Sequence, residues 1–434
     1  MENTFKVASI VEKLSFFLKG DQLASLAIEV GFMKRLPKKL DPKSLLIGLL
    51  FRVLQGAHSL SSLAMTISLL KGIQVSKQAV NKRLNESAIR FLEAVLARTV
   101  TDKLQSVRKI ASSAFRRILI QDSTLVRLPA TLAQAFPGSK NWTKVDFALV
   151  KIQAVYDILT EQFCWYWFSP FTVNEQAIAS TILDDFIQRG DLLIRDLGYF
   201  VLDAFSSLQN RGAFFISRLK HGIGLTDLGS GKRLDLVKTL KKSPFFDRWV
   251  IAGIKKQIKV RLIAIPVDPA VAAHRRRRAR RNRDRRLNPS REHLALLGWN
   301  IFILNVGAET LPTEDVATLY GIRWRMETIF KAWKSHFRLA QFPSSVSVLQ
   351  VRLSLYALFI LVTLFHTFVL VPSIVPRQAS ISLLKLSRCF REQFWAVTLY
   401  MFRPATLYDQ ISYHCSYEKR HDRLNYHQQL LSLS

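Results

Sequence analysis

The spacing of apolar and polar positions divides the chain into stretches of different period. Over residues 1 to about 110 the apolar residues recur at helical spacing, with breaks near Gly20, Gly31, Pro37 and Gly56. Within them, SLSSLAMTISLLKGIQVSKQAVNKRLNESAIRFLEAVLAR reads as a helix, a short turn at Gly72 and a second helix capped by Ser76. The period then changes. RRILIQDSTLVRLP carries a buried strand, Ile118–Leu119–Ile120, that ends in Asp122. VDFALVKIQAVYDI and FCWYWFSP read as two further strands in a hairpin, and NEQAIASTILDDFIQRG as a helix with Ile178, Ile182, Leu183 and Phe186 on one side. DLLIRDLGYF gives a short strand, Leu192 to Ile194, that reaches Asp196, with Gly198 permitting a turn. A helix (Val201 to Gln209) and a strand (Ala213 to Arg218) follow.

Three strands, helix, strand, helix, strand is the order of a ribonuclease-H-like sheet, with both aspartates expected at C-terminal strand ends. From Leu219 to about Leu297 short alternating runs such as RWVIAGI and IKVRLIAIPV predict an insertion that is mainly β. GWNIFILNV then places Trp299 at the head of a strand. Next comes a helix read from Thr313 to Leu339, with Thr313 able to cap its first turn. At about 100° per residue, Tyr320, Arg323, Glu327 and Lys334 share a stripe roughly 60° wide. A neighbouring stripe of Leu319, Met326, Phe330, Trp333 and Phe337 is apolar and predicts a buried seam. Without further information the polar stripe also reads as a solvated face, since Arg323 and Glu327 form an i,i+4 pair. Leu353 to Val371, LSLYALFILVTLFHTFVLV, is long enough to span a bilayer. It carries His366, lies between Arg352 and Arg377 and has no second segment like it, so a membrane span and a long buried helix both stay open at this point. From Pro376 onward the chain reads as helical and basic, with HCSYEKRHDR as a polar tail.

Charge adds the partner. The 63 Lys and Arg against 32 Asp and Glu give a formal charge of +31, a balance that implies a polyanion, most simply nucleic acid. In the N-terminal hairpin Lys77, Gln78, Asn81, Lys82 and Asn85 project beside Val80 and Leu84, as in a helix-turn-helix that enters a major groove. An ordinary helical hairpin with a basic surface has the same pattern. HRRRRARRNRDRR packs Arg275, Arg276, Arg277, Arg278, Arg280 and Arg281 and three further arginines into one run. It reads as a DNA-backbone contact, because such charge repels itself unless phosphates neutralise it; the bland alternative is a solvated loop. Three scattered cysteines (Cys164, Cys389, Cys415) without C-x-x-C predict neither a disulfide framework nor a zinc site, and fit a reducing cytoplasm. The N-terminus lacks the pattern of a signal peptide.

The spacing Y-x2-R-x3-E-x6-K at Tyr320, Arg323, Glu327 and Lys334 resembles the signature of the "IS four" family of DDE transposases, the insertion-sequence enzymes. Asp122 in Q-D-S-T-x-V-x-L-P and Asp196 in D-x-G-Y-F look like that family's first and second acids, and Glu327 like its third. The fold class expected is α/β: a ribonuclease-H-like mixed sheet with helices on both faces, interrupted by a β-rich insertion, plus an N-terminal helical DNA-binding domain. The corresponding divisions are 1–110, 111–220, 221–297, 298–375 and 376–434, the last a C-terminal helical region. The resemblance implies double-stranded DNA as partner (terminal inverted repeats and target), a homodimer in the synaptic complex, no membrane, and a cytoplasmic, nucleoid-associated place in a bacterial or archaeal host. It implies cut-and-paste transposition with a hairpin intermediate. It also implies that a tryptophan at the place of Trp299 stacks on a flipped base; a core role for Trp299 stays open. Hard oxygen ligands without a Cys or His cluster favour Mg²⁺, with Mn²⁺ as a substitute. Asp122 would bridge two ions, with Asp196 on one and Glu327 on the other, while Arg323, Lys334 and Tyr320 meet phosphate oxygens. Two rivals are a metal-dependent nuclease of the same fold and a catalytically inactive DNA-binding regulator derived from a transposase.

Overall fold

In the computed structural model, five helices precede the first strand among the described residues: α1 (Asp21–Glu29), α2 (Pro42–Gln55), α3 (Leu60–Lys71), α4 (Lys77–Arg83) and α5 (Glu86–Thr101). Then come β1 (Arg117–Leu128), β2 (Ala148–Asp157), β3 (Gln162–Pro170), α6 (Glu175–Ile178), β4 (Asp191–Arg195), α7 (Leu202–Asn210) and β5 (Phe214–Arg218). The insertion holds β6 (Leu225–Asp227), α8 (Leu236–Lys242), β7 (Phe246–Ala252), β8 (Ile258–Pro266), α9 (Pro269–Arg280) and α10 (Arg291–Leu296). β9 (Trp299–Leu304), α11 (Thr313–Gly321) and α12 (Trp324–Ser335) follow. Last come α13 (Val348–Ile374), α14 (Leu383–Glu392) and α15 (Tyr426–Leu431). The structure describes residues 21–35, 40–56, 59–71, 74–101, 114–138, 147–180, 186–243, 245–281, 289–374, 381–392 and 424–432. The polar tail HCSYEKRHDR and residues 181–185 of the helix expected after Asn174 lie outside them.

The fold is α/β with a mixed nine-stranded sheet. The chain divides into two compact units. One comprises Ala111–Asp122, Asn174–Arg323 and Gln429–Ser434. Here the strands run β1-β4-β5-β9-β8-β7-β6; β1, β4 and β5 are parallel, and β9, β8, β7 and β6 join antiparallel. The insertion's strands thus extend the sheet through β9, and the expectation of a mainly β insertion needs correcting, since α8, α9 and α10 occupy much of it. The arginine run is not a loop where it is described. Asp268 accepts a hydrogen bond from the Ala270 amide at 2.8 Å and Pro269 fills the first turn, so α9 starts firmly and carries the run to Arg280.

The other unit comprises Met1–Ile110, Ser123–Val173 and Trp324–Gln428. It holds the antiparallel hairpin of β2 and β3 and the long apolar helix. α13 begins with a capping box, Ser347 and Gln350, and 89% of its most apolar window is buried inside the protein, as a core helix requires. Tyr166 of β3 stacks on Phe359 with ring centroids 4.7 Å apart, and α5 and α2 pack on the same helix. A π-turn at His366–Leu370 puts His366 into the core.

Two expectations about local structure are corrected. β1 does not stop at Asp122 but continues to Leu128, with Thr124, Val126 and Leu128 buried and Leu125 and Arg127 exposed, a period-2 pattern. Asp122 is therefore a mid-strand residue. The helix expected from Thr313 to Leu339 is two helices, interrupted by a turn at Ile322–Arg323 and finished at Ser335. Thr313 does not cap it; its hydroxyl donates to Asp247 and accepts from Arg261 Nη2 at 2.8 Å.

The interior around β2 and β3 holds a buried polar cluster. Glu161, wholly buried, accepts from Arg325 Nη2 at 2.5 Å and from the Tyr156 hydroxyl; His366 Nδ1 stands 3.1 Å from that hydroxyl and 3.2 Å from the Glu161 carbonyl. Burial pushes His366 down to about 3 and His427 down to about 4, so both are neutral when folded. Unfolded, each binds a proton below about 6.5 while the folded state does not, so their contribution is complete above that pH and shrinks as pH falls. Near pH 5.5 each histidine should cost about 1.4 kcal/mol. Melting curves should therefore show a clear fall in Tm between near-neutral pH and that point, and His366→Gln should flatten it. Identical melting at both pH values would contradict a neutral buried pair.

Candidate active site

The last paired residues of the β1–β4 ladder are Gln121 and Arg195. Asp122 is the next residue of β1, and Asp196 is the first residue past the end of β4. In a parallel ladder such partners project to the same face, with backbones about 4.8 Å apart. Two carboxylates this close repel unless positive charge intervenes. Arg323 Nη1 supplies it, donating to Asp122 Oδ2 at 2.7 Å with both side chains largely shielded. Asp196 occupies the N-cap position of a single 3-10 turn, Leu197–Tyr199, yet its side chain makes no capping hydrogen bond. The usual reason for an aspartate after a strand is thus absent here. Behind it, Arg195 is buried over the Tyr199 ring at 5.8 Å and is pushed down to about 10 by that burial.

Tyr320, from α11, lies within this group. Its hydroxyl donates to the Arg195 carbonyl at 3.4 Å and its ring packs on Phe302 at 5.3 Å. Burial pushes it up to about 12; Arg323 and Arg218 pull the other way, and Asp196 reinforces the rise. Arg218, the last residue of β5, is a member of the group that the sequence alone did not single out. No local signal marked it, since a basic residue at a strand end gains meaning only once β5 is known to lie beside β4. The structure therefore gathers Asp122, Asp196, Tyr320, Arg323 and Arg218.

The arginine run splits into two sets by contact and exposure. Arg275 Nη2 donates to Asn300 Oδ1 at 3.0 Å and Arg276 Nε to the Leu294 carbonyl at 3.0 Å, fixing α9 against the start of β9 and against α10. Burial, with Arg218 nearby, lowers the Arg275 pKa. Arg277, Arg278, Arg280 and Arg281 are exposed. Trp299 begins β9, half-buried, opposite Pro266.

Glu327 and Lys334 belong to the other unit, on α12. They are seven residues apart, so they share a helix face, Glu327 half-buried in the first turn and Lys334 exposed in the last. The expected apolar seam is present, with Leu319, Met326, Phe330, Trp333 and Phe337 all buried. In the same unit Ser76 accepts from the Ala79 amide at 3.2 Å and starts α4, whose Lys77, Gln78, Asn81 and Lys82 are exposed while Val80 is buried. The second helix is shorter than the sequence implied, since Leu84 and Asn85 interrupt it before α5.

Among the described residues no three His, Cys, Asp or Glu side chains stand close enough to hold a metal ion. The ladder-end pair nevertheless fits one in kind: two hard carboxylates on adjacent strands, one already engaged with a cation and the other uncapped.

Residues 113–363 match the Transposase DDE domain family. The chain is similar to the transposase for insertion sequence element IS231F of Bacillus thuringiensis subsp. israelensis, 30% identical over 352 residues that cover 75% of this chain and 73% of the relative. The IS231B transposase of Bacillus thuringiensis subsp. berliner is 29% identical over 351 residues (76% and 73%), and the IS1151 transposase of Clostridium perfringens 26% over 323 residues (68% and 67%). With more than half of its length inside the family match and Asp122, Asp196 and Glu327 in the expected order, the chain belongs to the DDE transposases of insertion sequences, of the "IS four" type, enzymes that act on DNA with divalent metal.

Proposed function

We propose that Asp122, Asp196 and Glu327 are the acids with which this transposase cuts and rejoins DNA at the ends of its insertion sequence. The observation that supports the reading is the ladder end, where β1 and β4 pair as far as Gln121↔Arg195 and the next residue of each segment is an aspartate. Bound Mg²⁺, or Mn²⁺ in its place, would lower the pKa of an attacking water and stabilise the leaving oxygen of an in-line displacement. The chain's own residues do the rest. Arg323 neutralises Asp122 before the site is loaded and is then placed to meet a phosphate. Tyr320, whose high pKa keeps its proton in place, serves as a hydrogen-bond donor to a phosphate oxygen. Lys334 and Arg218 add charge for the flanking phosphates. Lys77 and Lys82 on α4 would contact a major groove, and the outer arginines of α9 the backbone. Two protomers would hold the paired ends, and a hairpin would form when the freed 3′-hydroxyl attacks the opposite strand.

Glu327→Gln should abolish end nicking and leave binding to a terminal-repeat duplex nearly intact. Nicking comparable to wild type removes Glu327 from the set. Changing Arg277, Arg278, Arg280 and Arg281 to alanine, with Arg275 and Arg276 kept for their structural contacts, should flatten the slope of log affinity against log salt. The expected change is about 0.9 for every phosphate that is no longer neutralised. An unchanged slope makes these four arginines bystanders. Trp299→Ala should lose roughly 1–3 kcal/mol of base stacking and stall the reaction at the hairpin, with first-strand nicking spared. A core role predicts instead about 3–5 kcal/mol of lost stability and slowing of every step together. Gel separation of nicked, hairpin and excised products beside a melting curve distinguishes them.

A further inference from the structure

Arg325 lies two residues before Glu327 on α12, about 200° around the helix from it. Where Glu327 is half-exposed, Arg325 points into the core and is buried. Its guanidinium donates to Glu161 Oε2 at 2.5 Å. Glu161 stands in the turn between β2 and β3, on a left-handed backbone (φ 53) that glycine or asparagine adopts with less strain. Nor does the turn need the Glu161 side chain, because Asp157 ties it: the Leu159 amide donates to Asp157 Oδ1 at 3.1 Å and the Thr160 hydroxyl to Oδ2 at 2.9 Å. A carboxylate at this strained position therefore serves something else.

That carboxylate is held from several sides. Tyr156 donates its hydroxyl proton to Glu161 Oε2, so its oxygen is left as an acceptor. His366 Nδ1 is 3.1 Å from that oxygen and 3.2 Å from the Glu161 carbonyl. A carbonyl only accepts, so Nδ1 carries the imidazole proton. The result is a directed chain from His366 through Tyr156 to Glu161 and on to Arg325. On the far side the Tyr426 ring lies 4.2 Å from the Arg325 guanidinium carbon, and His427 beside it is buried. Burial alone would raise the Glu161 carboxyl, but Arg325 and His427 outweigh it and hold it below its usual range.

Such a network is a poor way to gain stability, since an apolar pair of similar volume packs as well at no desolvation cost. What it supplies is direction. A fork-shaped guanidinium bound to a fixed carboxylate sets both the rotation and the height of the helix turn that carries Glu327. We propose that Glu161, Arg325 and Tyr156, closed over by Tyr426, form a positioning network that orients Glu327 for its work on DNA. The proposal rests on Glu327 being the third acid. It also gives the segment around Tyr426 a role, which is to seal the buried ion pair from water.

The test compares Glu161→Gln/Arg325→Met, Arg325→Lys and Tyr156→Phe with wild type and with Glu327→Gln. Melting, binding to a terminal-repeat duplex, nicking rate, the Mg²⁺ concentration for half-maximal nicking and the Mg²⁺-induced rise in Tm of the DNA complex are measured for each. The double variant removes both charges, so it should melt and bind ends much as wild type does. It should nick about 10–100-fold more slowly, need correspondingly more Mg²⁺, and show a smaller Mg²⁺-induced rise in Tm. Arg325→Lys should fall between, since it keeps the charge and loses the fork. Should the double variant not fold, Tyr156→Phe reads the same quantities through the loss of one hydroxyl. Tyr426→Phe, which keeps the ring, should be silent, and Tyr426→Ala should show the defect in weaker form. If folded variants nick with wild-type rate and Mg²⁺ demand while Glu327→Gln is dead, the positioning proposal is overturned and the acid assignment stands. If Glu327→Gln also nicks normally, the acid assignment fails and takes the proposal with it.

Discussion

Everything in the candidate site follows from two carboxylates placed side by side at the end of a parallel ladder. β1 and β4 pair in register from Arg117↔Asp191 to Gln121↔Arg195, and the next residue of each segment, Asp122 within β1 and Asp196 just past β4, is an aspartate. Neighbouring anions in partly shielded surroundings are costly, and the cost falls only if positive charge is brought to them. Arg323 brings one charge directly; Tyr320 and Arg218 complete the surroundings. An arrangement that needs cations when empty is suited to hold them when working, which is why the ladder end carries the functional reading. The other end of the same ladder shows the contrast. Asp191 there is wholly buried and bound by both Arg116 and Arg117, a closed structural pair with nothing left to offer a ligand.

Much of this was legible in the sequence, because the strongest signals were local. Ile118–Leu119–Ile120 and Leu192 to Ile194 could be recognised as strands from their unbroken apolar runs, and the turn after Asp196 from Gly198. The apolar seam on α11 and α12 followed from helical spacing and is buried as expected. α13 was distinguishable from a membrane span by its context, and it is a core helix. What the sequence did not disclose depends on partners far along the chain. The extension of β1 to Leu128 was written in the alternation of Thr124, Val126 and Leu128 but was masked by the turn-like Asp-Ser-Thr. The break at Ile322–Arg323 follows Gly321, a weak stop signal that the uninterrupted apolar periodicity outweighed, so two helices looked like one. Thr313 looked like a cap because threonine is a common one, and only the fold brings Arg261 and Asp247 to it. Arg218 was passed over because a lone basic residue at a strand end says little until the neighbouring strand is known.

The arginine run illustrates how structure divides a composition. Taken as charge alone, it is a single polycation. On α9 it becomes two sets, with Arg275 and Arg276 tied to Asn300 and the Leu294 carbonyl and the others more open to solvent. Alanine across the whole run would therefore confound a packing loss with a loss of phosphate contacts. A similar division holds on α12, where alternate sides of one turn carry a half-exposed glutamate and a buried arginine. On the proposal made above, the exposed side meets the reacting DNA and the buried side holds it in register through Glu161.

The central claim is that Asp122 and Asp196 act as a pair of metal ligands at the ladder end. It is tested most directly by titrating Mn²⁺ into the protein bound to a terminal-repeat duplex and counting bound ions by electron paramagnetic resonance. Wild type, Asp122→Asn and Asp196→Asn are compared at equal DNA occupancy. The account predicts that each asparagine variant binds DNA normally and loses most of its Mn²⁺ affinity. Mn²⁺ binding unchanged in either variant would contradict it.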